Sequence, residues 1–221
     1  MSSILEIDSV IKGFGDRQVL TDIYLKCQTG DIIGMLGRNG SGKSTLLQTI
    51  FGTLTAEKFI RINGKVYERP YKTLDQICYL PQHDFLPKQL TIEKIIKLYL
   101  DKKELNLFLD DELLRTLRKS KISFLSGGEL RYLEIKLLLN SKSKFILLDE
   151  PFNGVAPIMV ETIKSLIKKA SKTKGIILTD HDYHNVLNVA NKYCLIYDGG
   201  IKEVTEKLDL VKWGYISEAK L

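Results

Sequence analysis

Gly37-Arg38-Asn39-Gly40-Ser41-Gly42-Lys43-Ser44-Thr45 decides how this chain is read. The stretch fits the pattern G-x-x-x-x-G-K-[ST]. It sits between a strand-sized apolar run, residues 31–36, and a helix-forming segment, residues 44–51. Its chemistry follows from the residue types. Glycines let consecutive backbone N–H groups close around phosphate oxygens, the following helix presents the positive end of its dipole, and Lys43 adds a cation. The Ser44 hydroxyl is suited to ligate Mg²⁺.

Farther along, Phe145-Ile146-Leu147-Leu148-Asp149-Glu150 reads as a buried strand that delivers two carboxylates at its C-terminal end, the edge where open α/β sheets place ligands. Next to a phosphate loop the two acids divide the labour. Asp149 is expected to hold Mg²⁺ through water, and Glu150 to polarise the water that attacks a γ-phosphate.

The rest of the chain supplies a matching scaffold. Strands are expected near 4–10, at 19–27 and at 31–36, and Asn63-Gly64 marks a tight hairpin within 61–67. Residues 77–80 form a further strand, stopped by Pro81. From 91 to 120 apolar residues recur at helical spacing: Ile92, Ile95, Ile96 and Tyr99, then Leu105, Phe108 and Leu109, then Leu113, Leu114 and Leu117. Helices at 128–139 and 157–170 alternate with strands at 145–148 and 175–178, and a late hairpin covers 193–204. Such alternation implies a parallel sheet with crossover helices, because parallel strands cannot be joined by tight turns.

Between the two phosphate-site elements lies Leu125-Ser126-Gly127-Gly128-Glu129, opening a helix. This resembles the LSGGQ signature of ATP-binding-cassette (ABC) ATPases, with Glu129 where the family more often has Gln. Other family elements appear in order. Phe14, before Gly15, matches the aromatic that stacks on adenine. Gln82 in Tyr79-Leu80-Pro81-Gln82 matches the Q-loop glutamine, and His181 in Leu178-Thr179-Asp180-His181-Asp182 matches the switch histidine. The resemblance spans about residues 4 to 205.

The resemblance implies an α/β fold: a P-loop NTPase-like parallel core, an N-terminal antiparallel β subdomain and a short inserted α-helical subdomain. All 221 residues then form one ABC ATPase domain, with 1–87 and 125–221 as the ATP-binding core and 88–124 as the insert. It also implies ATP and Mg²⁺ as cofactors. Glu150, His181 and Gln82 would be catalytic, and Ser44, Gln82 and Asp149 would hold the metal. Phe14, the loop from Gly37 through Arg38, Asn39, Gly40, Ser41, Gly42, Lys43 and Ser44 to Thr45, and Ser126, Gly127 and Gly128 would bind nucleotide. In the family two cassettes stack head to tail, so a chain with one of each motif implies a dimer, either a homodimer or a heterodimer with another cassette.

Two departures stand out. The D-loop segment Asn153-Gly154-Val155-Ala156-Pro157 has Ala156 where the family usually has Asp, and the insert looks shorter than in most relatives. The Q-loop region that usually grips a permease points to His83, Asp84, Phe85 and Leu86 as contacts if they are exposed, and as core if they are buried.

Composition narrows the function. The chain is 44% hydrophobic and 27% charged, with mean hydropathy −0.06, as expected of a folded domain. No run approaches the roughly 18 apolar residues of a membrane helix. The start, MSSILEIDSV, lacks a secretory signal pattern, so a cytoplasmic location, peripheral on the inner face of the membrane, is expected. Cys27, Cys78 and Cys194 are odd in number and widely spaced, which fits reduced thiols in strands or core. The net charge of +6 suits an anionic neighbour, yet 26 Lys against 7 Arg argues against a dedicated nucleic-acid reader, and no direct nucleic-acid partner is expected. The leading reading is an ATP-hydrolysing subunit that powers transport through a separate membrane permease. The alternative is a soluble non-transport cassette such as an iron–sulfur-assembly ATPase.

Overall fold

The computed structural model describes residues 2–100, 108 and 111–218. Strands β1 (Ile4–Phe14), β2 (Arg17–Gln28), β4 (Glu57–Ile62) and β5 (Lys65–Val66) build an antiparallel sheet in the order β2-β1-β4-β5. Strands β3 (Ile32–Leu36), β6 (Ile77–Leu80), β7 (Phe145–Asp149), β8 (Gly175–Thr179), β9 (Lys192–Tyr197) and β10 (Gly200–Val204) build a second sheet in the order β10-β9-β3-β8-β7-β6. Only the β9–β10 pair in it is antiparallel. The fold is therefore α/β, with a P-loop NTPase-type parallel core beside an antiparallel sheet.

Side-chain alternation along the central strands generates two cores, because successive residues point to opposite faces. Ile32 and Leu36 of β3, Ile146 and Leu148 of β7, and Ile176 and Leu178 of β8 face one way. Ile33 and Met35, Phe145 and Leu147, and Ile177 face the other. The second face closes against the antiparallel sheet, with Leu46, Leu47 and Ile50 of helix α1 (Lys43–Phe51) in the same cluster. Both faces being covered explains why these strands read as continuous apolar runs.

The first face packs against helices α2 (Ile92–Tyr99), α4 (Gly127–Leu139), α5 (Pro157–Ser171), α6 (Tyr183–Val189) and α7 (Lys207–Lys212). Short helix α3 (Glu112–Leu117) lies in the insert, where Ile92, Ile95, Ile96 and Leu114 are buried as their helical spacing predicts. Phe108 is helical and buried, while Leu105 and Leu109 fall outside the described residues. Thr91 caps α2 through the Lys94 N–H, and Asp111 caps α3 through the Leu114 N–H at 3.0 Å. Asp111 also accepts from Lys136 Nζ at 2.9 Å and from the Tyr132 hydroxyl, which ties the insert to α4. Burial opposes ionisation of Asp111, but these hydrogen bonds outweigh it and hold its carboxyl below the usual range.

The hairpin at Asn63-Gly64 forms with φ of +52° and +79°, the combination of a type I′ turn. The first hairpin runs longer than the apolar pattern suggests. Lys12 and Gly13 interrupt the alternation but still pair with Leu20 and Gln18, carrying β1 to Phe14. All three cysteines lie in strands as free thiols, and burial raises the thiol of Cys78 to about 11 and that of Cys194 to about 12. Among the described residues no helix is long and apolar enough to cross a membrane.

Candidate active site

Four strands of the parallel sheet end on one edge, and the loops that leave them carry the site. The loop after β3 must reverse direction within residues 37–42 before α1 starts. Gly37, Gly40 and Gly42 all take positive φ there, +154°, +75° and +105°. A Cβ on Gly37 would lie 2.5 Å from Ser41 Oγ, and one on Gly42 would lie 2.9 Å from Leu20 Cδ2. Both positions therefore require glycine.

Lys43 is buried, and its ammonium donates to the carbonyls of Gly37 at 2.7 Å and Arg38 at 3.1 Å. Desolvation lowers its pKa, and the carboxylates of Glu150 and Asp149 work against that. Gly42, at the start of α1, offers no side-chain cap, and the first turn holds no acid. The initial N–H groups are thus left for an external acceptor. Among the described residues Ser41 Oγ is shut off from solvent without a hydrogen-bond partner.

Strand β7 is registered with β8 so that Asp149 lies opposite Thr179. Asp149 Oδ1 accepts from Ser44 Oγ at 3.0 Å and from Thr179 Oγ1 at 3.1 Å, and Oδ2 accepts from the Tyr79 hydroxyl at 2.8 Å. Burial raises the pKa of Asp149, opposed by these three hydroxyls. The Tyr79 hydroxyl is itself pushed up, first by burial and then by Asp149.

The next residue, Glu150, adopts φ +52°, in the left-handed region, with its N–H on the Thr179 carbonyl at 3.0 Å. That turn swings its carboxylate out of the sheet. Gln82 Nε2 donates to Glu150 Oε1 at 2.6 Å, and His181 Nε2 meets the same oxygen at 2.7 Å. Asn153 Nδ2 reaches Oε2 at 3.4 Å. Three residues singled out from distant parts of the sequence therefore meet on one carboxylate.

A cavity of about 330 Å³ opens between this cluster and the phosphate loop. Phe14 stands at its rim, half exposed, with Lys12 Nζ 4.8 Å above the ring centroid. Asn39, Gly40, Gly42, Lys43, Ser44 and Thr45 line the loop side. Arg38 does not: its guanidinium donates to the Gly214 carbonyl at 3.0 Å, and its side chain lines a separate cavity with Ser41 and Tyr215.

Ser126, Gly127 and Gly128 stand apart from that cavity, at the exposed start of α4. Ser126 and Glu129 form a closed capping box: Ser126 N and Oγ both donate to Glu129 Oε2, at 2.8 and 2.7 Å. Gly128 abuts the D-loop, where a Cβ would lie 3.6 Å from the Gly154 carbonyl. Ala156 occupies the N-cap of α5 and leaves it without a side-chain cap.

Phe85 and Leu86 take the core alternative rather than that of exposed contacts. Leu86 is buried in the helical core, Phe85 packs against that core, and the N–H groups of both are directed to Glu134. Only His83 and Asp84 of that set are exposed. At the switch, Asp182 caps α6, and His184 lies against Tyr183 with ring centroids 4.0 Å apart. Among the described residues no group of three or more His, Cys, Asp or Glu side chains is arranged to hold a metal.

Four residues of the site escaped sequence reading. Tyr79 and Thr179 hold Asp149, while Arg131 and Glu134 lie buried on α4. The Arg131 guanidinium donates to the carbonyls of Pro81 (2.6 Å), Asp149 (2.6 Å) and Glu150 (3.0 Å), and Glu134 Oε1 accepts from Phe85 N at 2.8 Å. A usable signal existed: charged residues in a helix that is otherwise apolar around most of its circumference must have buried partners.

A glycine loop between β3 and α1, facing paired acids at the end of β7, defines a P-loop NTPase. The family model described as ABC transporter matches residues 20–153. A probable ABC transporter ATP-binding protein of Azorhizobium caulinodans is 32% identical over 207 residues, covering 86% of this chain and 73% of that protein. The lipopolysaccharide export system ATP-binding protein LptB of Haemophilus influenzae is 34% identical over 214 residues, covering 90% and 89%. The solved structure of an ATP-binding subunit of an ABC transporter superposes with a TM-score of 0.84 at 23% identity, covering 96% of this chain and 93% of that one. The chain belongs to the ABC transporter family, as one of its ATP-binding ATPase cassettes. That membership favours transport over the iron–sulfur-assembly alternative.

Proposed function

We propose that this chain binds ATP with Mg²⁺ at the edge of the parallel sheet, hydrolyses it, and uses the cycle to drive transport through a separate membrane permease. The observation that carries the reading is the convergence of Gln82 and His181 on Glu150 Oε1, across the cavity from Lys43.

The residues fit both groups. A loop that excludes Cβ atoms at Gly37 and Gly42, a buried lysine whose bonds are to its own loop carbonyls, and a helix start without a side-chain cap together suit phosphate oxygens. Ser44 and Asp149, already 3.0 Å apart, and Gln82 offer the oxygen donors that Mg²⁺ prefers. When bound, the ion supplies charge neutralisation on the phosphates.

The chain's own residues do the rest. Phe14 offers a face to adenine. Lys43 and the loop N–H groups hold the phosphates in line for attack. Glu150 accepts the proton of the attacking water, and Gln82 and His181 orient its carboxylate. Ser126, Gly127 and Gly128 lie outside the cavity, which supports a head-to-tail dimer, homomeric or heteromeric, in which they complete a partner's site. Residues 88–124 act as an inserted helical subdomain within a single ATPase domain, with His83 and Asp84 as exposed contacts toward a permease. The location proposed is peripheral, on the cytoplasmic face of the membrane, and no direct nucleic-acid partner is proposed.

Affinity purification of the full chain from membranes after mild detergent extraction tests the transport reading. A polytopic membrane protein recovered in stoichiometric amount, with ATP turnover above that of the isolated subunit, is the expected result. Recovery of soluble partners alone contradicts it.

A further inference from the structure

Arg131 is not among the residues lining the cavity, yet its guanidinium holds the main chain at the candidate base. It is buried on α4 and spends its donors on main-chain carbonyls from two other elements: Pro81, just before Gln82, and Asp149 with Glu150 at the end of β7. Its neighbour one helical turn on, Glu134, lies 3.6 Å away and accepts from the N–H groups of Phe85 and Leu86. One ion pair thus grips the main chain on both sides of Gln82 and on the turn that carries Glu150.

That turn needs a grip. Glu150 is a non-glycine residue at φ +52°, a conformation that persists only where surrounding structure over-determines it. Arg131 bonds to its carbonyl and to the preceding one, which fixes the peptide planes flanking the strained residue. The planar guanidinium, with donors in a fixed fork, suits this geometry better than an ammonium.

Arg131 sits five residues beyond Ser126, about 7.5 Å along a continuous helix. We propose that Arg131, with Glu134, is a positioning residue for hydrolysis. It locks the Glu150 carboxylate and the Gln82 segment to the signature helix, so that displacement of the Ser126 end is felt at the base of the same chain. This rests on Glu150 being the hydrolytic base.

The test compares Arg131→Met and Arg131→Lys in the full chain, each with and without Glu150→Gln. It reads steady-state and single-turnover ATP hydrolysis, ATP affinity by equilibrium dialysis, and amide hydrogen exchange. Arg131→Met is expected to lower kcat by about 10- to 100-fold while ATP affinity stays within about threefold. Exchange should quicken at residues 150–152 and remain unchanged in α1, and Arg131→Lys should fall between Met and the native residue. In the Glu150→Gln background, Arg131→Met should cost less than about threefold more, because the group it positions is already lost.

Equal losses in both backgrounds, or unchanged kcat, would overturn the positioning role. Loss of affinity together with faster exchange throughout would overturn it too, by marking a general structural role. If Arg131→Met does not fold, the same readings are taken on Arg131→Lys. Unchanged turnover in Glu150→Gln alone sinks the assignment of the base instead, so the two failures are distinguishable.

Discussion

Helices α1 and α4 both begin at glycines, and the two starts are built in opposite ways. At α1 the N-cap is Gly42, left-handed and without a side-chain cap, and the turn is enclosed beside a buried Lys43. At α4 the start is exposed, and Ser126 and Glu129 close a capping box on themselves. An uncapped, enclosed helix start keeps its N–H groups for an anion that comes from outside. A self-capped start is stable by itself and must give up part of its cap to bind one. The two starts thus differ in what they leave open: α1 keeps its first N–H groups unsatisfied, whereas α4 satisfies part of its own.

The largest effect is expected from removing the cation of the first start. Lys43→Ala should abolish ATP binding in equilibrium dialysis, and normal affinity for Mg-ATP would break the comparison at its stronger end. Gly42→Ala comes next. Its Cβ would crowd Leu20 and its φ of +105° is strained for alanine, so a stability loss of about 1–3 kcal/mol and weaker ATP binding are expected by denaturant melts and dialysis.

Ser126→Ala removes the cap of the second start. It should cost about 1 kcal/mol in the same melts and leave ATP affinity of the isolated chain unchanged, while lowering turnover. Smallest is the gain expected at α5, whose N-cap Ala156 provides no side-chain acceptor. Ala156→Asp should raise stability by roughly 0.5–1 kcal/mol, and a loss instead would mean the D-loop cannot spare room for a carboxylate.

Much of this contrast was legible in the residues. The glycine loop, the acid pair after an apolar strand and the Ser-Gly-Gly-Glu turn each carry their meaning locally, because loop geometry and capping depend on neighbours within a few positions. The continuous apolar runs of β3, β7 and β8 were also visible, though the placement of β3 between β8 and β9 was not: strand order depends on long-range pairing. Glu150 was read from the acid pair itself, Gln82 and His181 were found through family resemblance, and their meeting is a property of the sheet edge.

Arg131 and Glu134 were missed because α4 is buried nearly all round, so apolar periodicity gives no inner face on which a charge would stand out. Phe85 and Leu86 were undecided for a related reason: whether an apolar residue after a loop is core or surface is settled by the helices that pack over it.

The central claim is that Glu150, held by Gln82 and His181, is the base of an ATPase whose phosphate cradle functions separately from it. Single-turnover hydrolysis and ATP affinity of Glu150→Gln measure this directly. Hydrolysis should fall by about 10³, or roughly 4 kcal/mol of barrier, with ATP affinity retained. Turnover at the native rate would contradict the account.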